Sequence, residues 1–174
     1  KSIEPLVPNT LPNSRFDLTL LLWIACLRTL GVSVDKVRFL LQTDYGLHVS
    51  SATIVNNVSK LAEFLGEDYE QLRKELLKEK QVHGDETSWR VQDKNSWLWT
   101  FIGRKNAFFT VRKTRGHTVP EEVMRGYNGL FTADFWNAYN CLTCEKQRCW
   151  VHLKRELDKV LKYKHSKEFA TFAS

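Results

Sequence analysis

Apolar positions recur at helical spacing through the first part of the chain and at alternating spacing through the second. From Phe16 to Leu30 the run is apolar nearly all round and stops at Gly31, which predicts a buried helix with Asn13-Ser14 as its cap. Val37, Leu40 and Leu41 share one face of a second helix over 34–45, ended by Gly46. Ser50 or Ser51 caps a third, in which Val55, Val58, Leu61, Ala62 and Leu65 form the inward face as far as Gly66. A fourth, highly charged helix over 68–80 opens with Asp68 and Gln71 and buries Leu72, Leu76 and Leu77.

At Gln81 the pattern changes to strands over 82–91, 97–102 and 107–112, joined by turns at Asp93-Lys94-Asn95 and Gly103-Arg104-Lys105-Asn106. A helix over 118–125 precedes an apolar strand, 129–134, whose composition predicts burial on both faces. A helical turn over 135–140, a fifth strand over 146–150 and an amphipathic helix over 151–163 complete the chain, with Leu153, Leu157, Val160 and Leu161 inward. Three strands in a meander, then helix, strand, helix, strand, helix is the order of the RNase H-like fold. The expected class is therefore α+β, with a helical region over 1–80 and a mixed sheet with flanking helices over 81–174.

In that order the first and fourth strands are neighbours, so Asp85 and Asp134 face each other. Two carboxylates about 4 Å apart repel by about 4 kcal/mol at an effective dielectric near 20. They need a cation or a shared proton, and hard oxygen ligands suit Mg²⁺ or Mn²⁺ in an in-line phosphoryl displacement. Taken singly, Asp134 reads as a cap for the following turn and Asp85 as a strand-end charge.

Composition narrows the field. With 43% hydrophobic and 26% charged residues, the 174-residue chain is a folded protein and not a disordered one. Its longest apolar stretch, Leu18 to Leu27, is about half a membrane span, and its first residues lack the pattern of a secretory signal. The absence of an initiator Met makes a fragment the expectation. Residues 1–80 hold 10 Lys/Arg and 10 Asp/Glu, whereas 81–174 hold 16 and 10, so the whole +6 excess lies in the second part and points a polyanion there.

Several residues carry a functional reading beside a plainer one. The second and third helices read as a helix-turn-helix that would present Ser51, Thr53, Asn56, Asn57 and Lys60 to DNA, although zero net charge favours an ordinary packed pair. Arg148, Lys154 and Arg155, continued by Lys159 and Lys162, suit phosphate contacts. Trp136 could stack on an unpaired base or belong to the core. Cys141-x2-Cys144-x4-Cys149-x2-His152 could furnish a zinc site, against the commoner outcome of small buried thiols.

Four blocks then occur in order: His83-Gly84-Asp85-Glu86-Thr87-Ser88-Trp89-Arg90-Val91, Trp97-Leu98-Trp99, Gly129 through Tyr139, and Gln147-Arg148-Cys149-Trp150-Val151-His152-Leu153-Lys154-Arg155. Together they resemble the DDE transposases of bacterial and archaeal insertion sequences, specifically the insertion-sequence 66 type, over nearly the whole chain. The resemblance implies that Asp85 and Asp134 are the first two acidic ligands of Mg²⁺ or Mn²⁺. It implies DNA as partner, both transposon ends and target, with water cutting a strand before the freed 3′-hydroxyl joins the target. It further implies a homo-oligomer assembled on DNA, in the cytoplasm with the nucleoid. Such enzymes complete the site with a Glu on a later helix, beyond the Arg-Cys-Trp-Val-His block. Glu156 and Asp158 lie too close to the fifth strand, and Glu168 lacks the surrounding Asn-Asn pattern. The expectation is thus a core without its third acid, holding metal weakly. The rivals are a non-catalytic DNA-binding or assembly module and a nuclease of the same fold.

Overall fold

The computed structural model describes residues 9–11, 14, 16–91, 93–163 and 171. The chain divides into two compact units, Lys1–Tyr69 and Glu70–Ser174.

The first unit is built on α1 (Leu18–Thr29), α2 (Val34–Tyr45) and α3 (Ser51–Phe64). Each starts at a polar side chain that accepts an otherwise orphaned backbone N–H: Asp17 from Thr19, Ser33 from Lys36 and Ser50 from Thr53. Asp17, not Ser14, therefore caps α1, and Asn13 lies outside the described residues. Gly46 ends α2 in the left-handed conformation, at φ 65°, which glycine adopts without steric cost. Leu21, Ile24, Val37, Leu41, Ile54 and Leu61 make the core. Two expectations are corrected. Helix α1 is not enclosed all round, since Leu22 is 49% exposed and Cys26 is exposed. The inward stripe of α3 is Ile54, Asn57 and Leu61, while Val55, Ala62 and Leu65 face solvent. The expected stripe is the more apolar one, but α1 and α2 cover the stripe that carries Ile54 and Leu61, and Asn57 is buried with them.

Helix α4 (Gly66–Leu76) ends earlier than expected. Leu76 is fully buried in the core of the second unit, with Leu77 packed against it, so the division falls before Glu70 and not at 80. That second unit contains β1 (Gln81–Val91), β2 (Lys94–Ile102), β3 (Ala107–Arg112), α5 (Thr118–Val123), β4 (Leu130–Ala133), a 3-10 turn (Asn137–Cys141), β5 (Glu145–Arg148) and α6 (Trp150–Tyr163). The strands form one sheet in the order β3-β2-β1-β4-β5. Pairing is antiparallel from β1 to β3 and parallel through β1, β4 and β5. This is the RNase H-like arrangement, α+β in class.

One sheet face carries the core: Val82, Trp99, Phe101, Phe108 and Phe131, closed by Val119, Met124 and Tyr139. Trp99 and Tyr139 meet edge to face with ring centroids 6.0 Å apart. Gly84 is required by close approach, because a Cβ there would run into the Phe131 ring. Strand β4 is as buried as its composition predicts. No helix among the described residues is long and apolar enough to cross a membrane.

Candidate active site

Alternation along β1 sends Val82, Gly84 and Glu86 into the core and leaves His83, Asp85 and Thr87 exposed on the other face. In the parallel ladder Val82 lies beside Phe131 and His83 beside Thr132. Carried on by two residues, that register sets Asp85 beside Asp134, the residue after β4. Registered positions on parallel neighbours share a face and lie about 4.8 Å apart along the hydrogen-bonding direction. Continued in that register, Asp85 inside β1 and Asp134 just past the end of β4 fall in one row.

Each is held locally. Asp85 Oδ1 accepts from the backbone N–H of Glu86 at 2.9 Å, and the Thr100 hydroxyl donates to the Asp85 carbonyl at 3.0 Å. Asp134 Oδ1 accepts from the Trp136 backbone N–H at 2.8 Å, an Asx turn ahead of the 3-10 turn, which itself begins without a side-chain cap, so the expected cap is corrected to a local turn. Arg148 donates to the Asp134 carbonyl at 2.7 Å and to Asn140 Oδ1 at 2.8 Å. Each carboxylate has a second oxygen to offer a ligand, and two such hard donors fit part of the coordination sphere of Mg²⁺ or Mn²⁺. Among the described residues no third His, Cys, Asp or Glu gathers with them. Glu168 lies outside the described residues.

A second set of side chains stands behind the aspartates: alternation alone turns Glu86 to the face opposite Asp85, while its partners Arg115 and Tyr139 were not legible in the sequence. Glu86 has a side chain only 1% exposed, paired with Arg115 Nε at 2.9 Å and Nη2 at 2.8 Å. The Tyr139 hydroxyl donates to the other Glu86 oxygen. Burial, then the hydrogen bond and charge of Glu86, then the charges of Asp134 and Asp85, hold the Tyr139 phenol far above its ordinary range. It therefore remains a donor, and it lies within the field of both aspartates. The guanidinium of Arg115 sits 4.0 Å from the Trp136 ring centre and 4.8 Å from that of Trp97. One signal was available: a Glu in phase with Val82 and Gly84 must enter the core and must find a partner there.

The predicted DNA-contacting residues part company. Asn57 is buried at 8% exposure, donates to the Thr53 carbonyl and accepts from the Ser14 hydroxyl, each at 2.8 Å. It ties α3 to the segment before α1 and cannot read a base edge, which corrects that expectation. Ser51 donates to Asp35 of α2 at 3.0 Å, and the Thr53 hydroxyl pairs with Ser50 at 2.9 Å. Asn56 is exposed and Lys60 half-buried. Lys154 and Arg155 are exposed on α6, whereas Arg148 is engaged at Asp134. Trp136 is 38% exposed, with Arg115 over its ring. The side chain of Lys162 lies outside the described residues.

The proposed zinc ligands do not converge: no group of three or more such side chains forms among the described residues. Cys141 and Cys144 pack against the core, and burial raises both thiols. Cys149 instead precedes α6. The backbone N–H of His152 and then its side chain hydrogen-bond the Cys149 thiol and lower its pKa. Nδ1 of His152 is buried without a protein partner. Cys141 and Cys144 precede β5, whereas Cys149 follows it and His152 lies in α6.

No curated protein matches the chain. Among solved structures, the HTLV-2 integrase catalytic core domain in complex with magnesium is similar at 10% identity, over 48% of this chain and 69% of that one, with a TM-score of 0.35. A simian T-cell lymphotropic virus intasome in complex with PP2A regulatory subunit B56 gamma is similar at 14% identity, over 56% of this chain and 48% of that one, with a TM-score of 0.36. Residues 29–173 match the Transposase IS66 family, a span that takes in both aspartates and most of the chain. The chain belongs to the transposase IS66 family.

Proposed function

We propose that the chain carries the first two acids of a DNA transposase centre, with Asp85 and Asp134 as ligands of Mg²⁺ or Mn²⁺ and DNA as the substrate. The observation that carries this reading is the β1–β4 register, which supports a shared row for two like charges, one within β1 and one just past β4. Their mutual repulsion is relieved by a cation. When bound, such ions activate the attacking oxygen and stabilise the leaving one in strand cleavage and 3′-end joining. The chain's own residues orient the centre: the Trp136 N–H holds one oxygen of Asp134, and Arg148 holds its carbonyl. Exposed Lys154 and Arg155 at the start of α6 supply phosphate contacts to transposon ends and target. Assembly of several copies on the two DNA ends belongs to the same proposal.

The test is a Mn²⁺ titration of the chain, followed by the resonance of free Mn²⁺, beside a plasmid-cleavage assay. Weak saturable binding, lost in both Asp85→Ala and Asp134→Ala, and little cleavage are expected. Binding unaffected by either substitution would move the centre elsewhere. Robust cleavage abolished by Asp134→Ala would show that residues 1–174 already contain a third acid.

A further inference from the structure

We propose that Glu86, Arg115 and Trp136 form a positioning relay that sets the Asp134 carboxylate, an inference that rests on Asp134 being a metal ligand. Glu86 is the residue after Asp85 but faces the opposite side of the sheet, inside the core. A carboxylate that deep is costly unless its lone pairs are filled, and Arg115 and Tyr139 fill them. Arg115 comes from the segment between β3 and α5, and that segment is pinned twice. The Trp99 indole N–H donates to the Thr114 carbonyl at 3.2 Å, and the Trp136 indole N–H donates to the Arg115 carbonyl at 3.1 Å.

Trp136 is thereby gripped from two directions, by its indole N–H on the Arg115 backbone and by the guanidinium across its ring. Its own backbone N–H is the donor to Asp134 Oδ1. The chain of contacts runs from a buried charge, through a planar cation between two tryptophans, to the amide that orients a ligand oxygen. A purely structural ion pair would need neither the ring contact nor the link to Asp134. Arginine suits the place, because its flat guanidinium can pair with a carboxylate edge-on while stacking on rings, which an ammonium cannot do. Partners that orient a ligating carboxylate typically change metal affinity by about 10–100-fold when removed.

The experiment is the same Mn²⁺ titration on the whole chain, run at a temperature where far-ultraviolet circular dichroism shows every variant folded. Glu86→Gln and Arg115→Met should each weaken Mn²⁺ binding about tenfold, and Arg115→Lys should recover part of that loss. Affinity equal to the parent in folded Arg115→Met, with binding still abolished by Asp134→Ala, overturns the relay and leaves the metal reading intact. Binding that survives Asp134→Ala unchanged, or no saturable binding by the parent, overturns the metal reading and the relay with it. If Arg115→Met does not fold, Trp136→Phe decides. It keeps a ring and the backbone N–H but loses the bond to the Arg115 carbonyl, worth about 1 kcal/mol or roughly fivefold. Unchanged affinity there overturns the relay.

Discussion

Asn57 in the helical unit and Glu86 in the sheet unit are both polar side chains inside a core, and they do different work. Asn57 is neutral and satisfied by the Thr53 carbonyl one turn back and by the Ser14 hydroxyl, so it knits α3 to the segment before α1. Glu86 is a carboxylate whose partners arrive from two other segments, and the Tyr139 that it binds also feels the charges of Asp85 and Asp134. A buried neutral amide ties two segments and asks for no counter-charge. A buried charge commits whatever neutralises it, and here the neutralising arginine also touches the residue that holds Asp134.

The comparison breaks first at Glu86. Removing one partner of a buried pair typically costs about 3–5 kcal/mol, so Glu86→Ala should lower the unfolding free energy by about that much in urea titrations read by tryptophan fluorescence. A cost under about 1 kcal/mol would mean that Arg115 and Tyr139 find water instead. Asn57→Ala should be milder, about 1–3 kcal/mol for losing the hydrogen bonds to Ser14 and Thr53. Its exposed neighbour Asn56→Ala should stay within about 0.5 kcal/mol. Equal effects at 56 and 57 would contradict the observed face of α3.

The finest distinction separates cysteines within the sheet unit. Hydrogen bonds from His152 lower the Cys149 thiol, while burial raises Cys141 and Cys144. A lowered pKa means that thiolate persists to lower pH. Cys149 should therefore be alkylated by iodoacetamide at a lower pH than the other two, as mass spectrometry of pH-stepped samples can follow. His152→Ala should shift the Cys149 profile upward, since the ring hydrogen bond is lost and the backbone one remains. Identical profiles for all three thiols would remove the Cys149–His152 interaction.

Periodicity and turn chemistry were enough for the element order, for α2 at 34–45 and for β3 at 107–112. Those signals are local: a glycine stop, a serine cap and an alternating strand act within a few residues. Order then limited the topology, since three hairpin-connected strands followed by crossovers leave few ways to lay β4 beside β1 and β5 beside β4. That made β1 and β4 neighbours before any coordinates, while the register between them, His83 beside Thr132, was set by the packing of their side chains. Which stripe of α3 is inward was decided only by packing, as the covered stripe carries a polar Asn57 between Ile54 and Leu61 and the more apolar one is left outside. The same holds for Glu86, Arg115 and Tyr139, which are 29 and 53 residues apart from Glu86 along the chain. A sequence can show that a carboxylate enters a core, but its partner is chosen by which loop the folded sheet brings within hydrogen-bond reach.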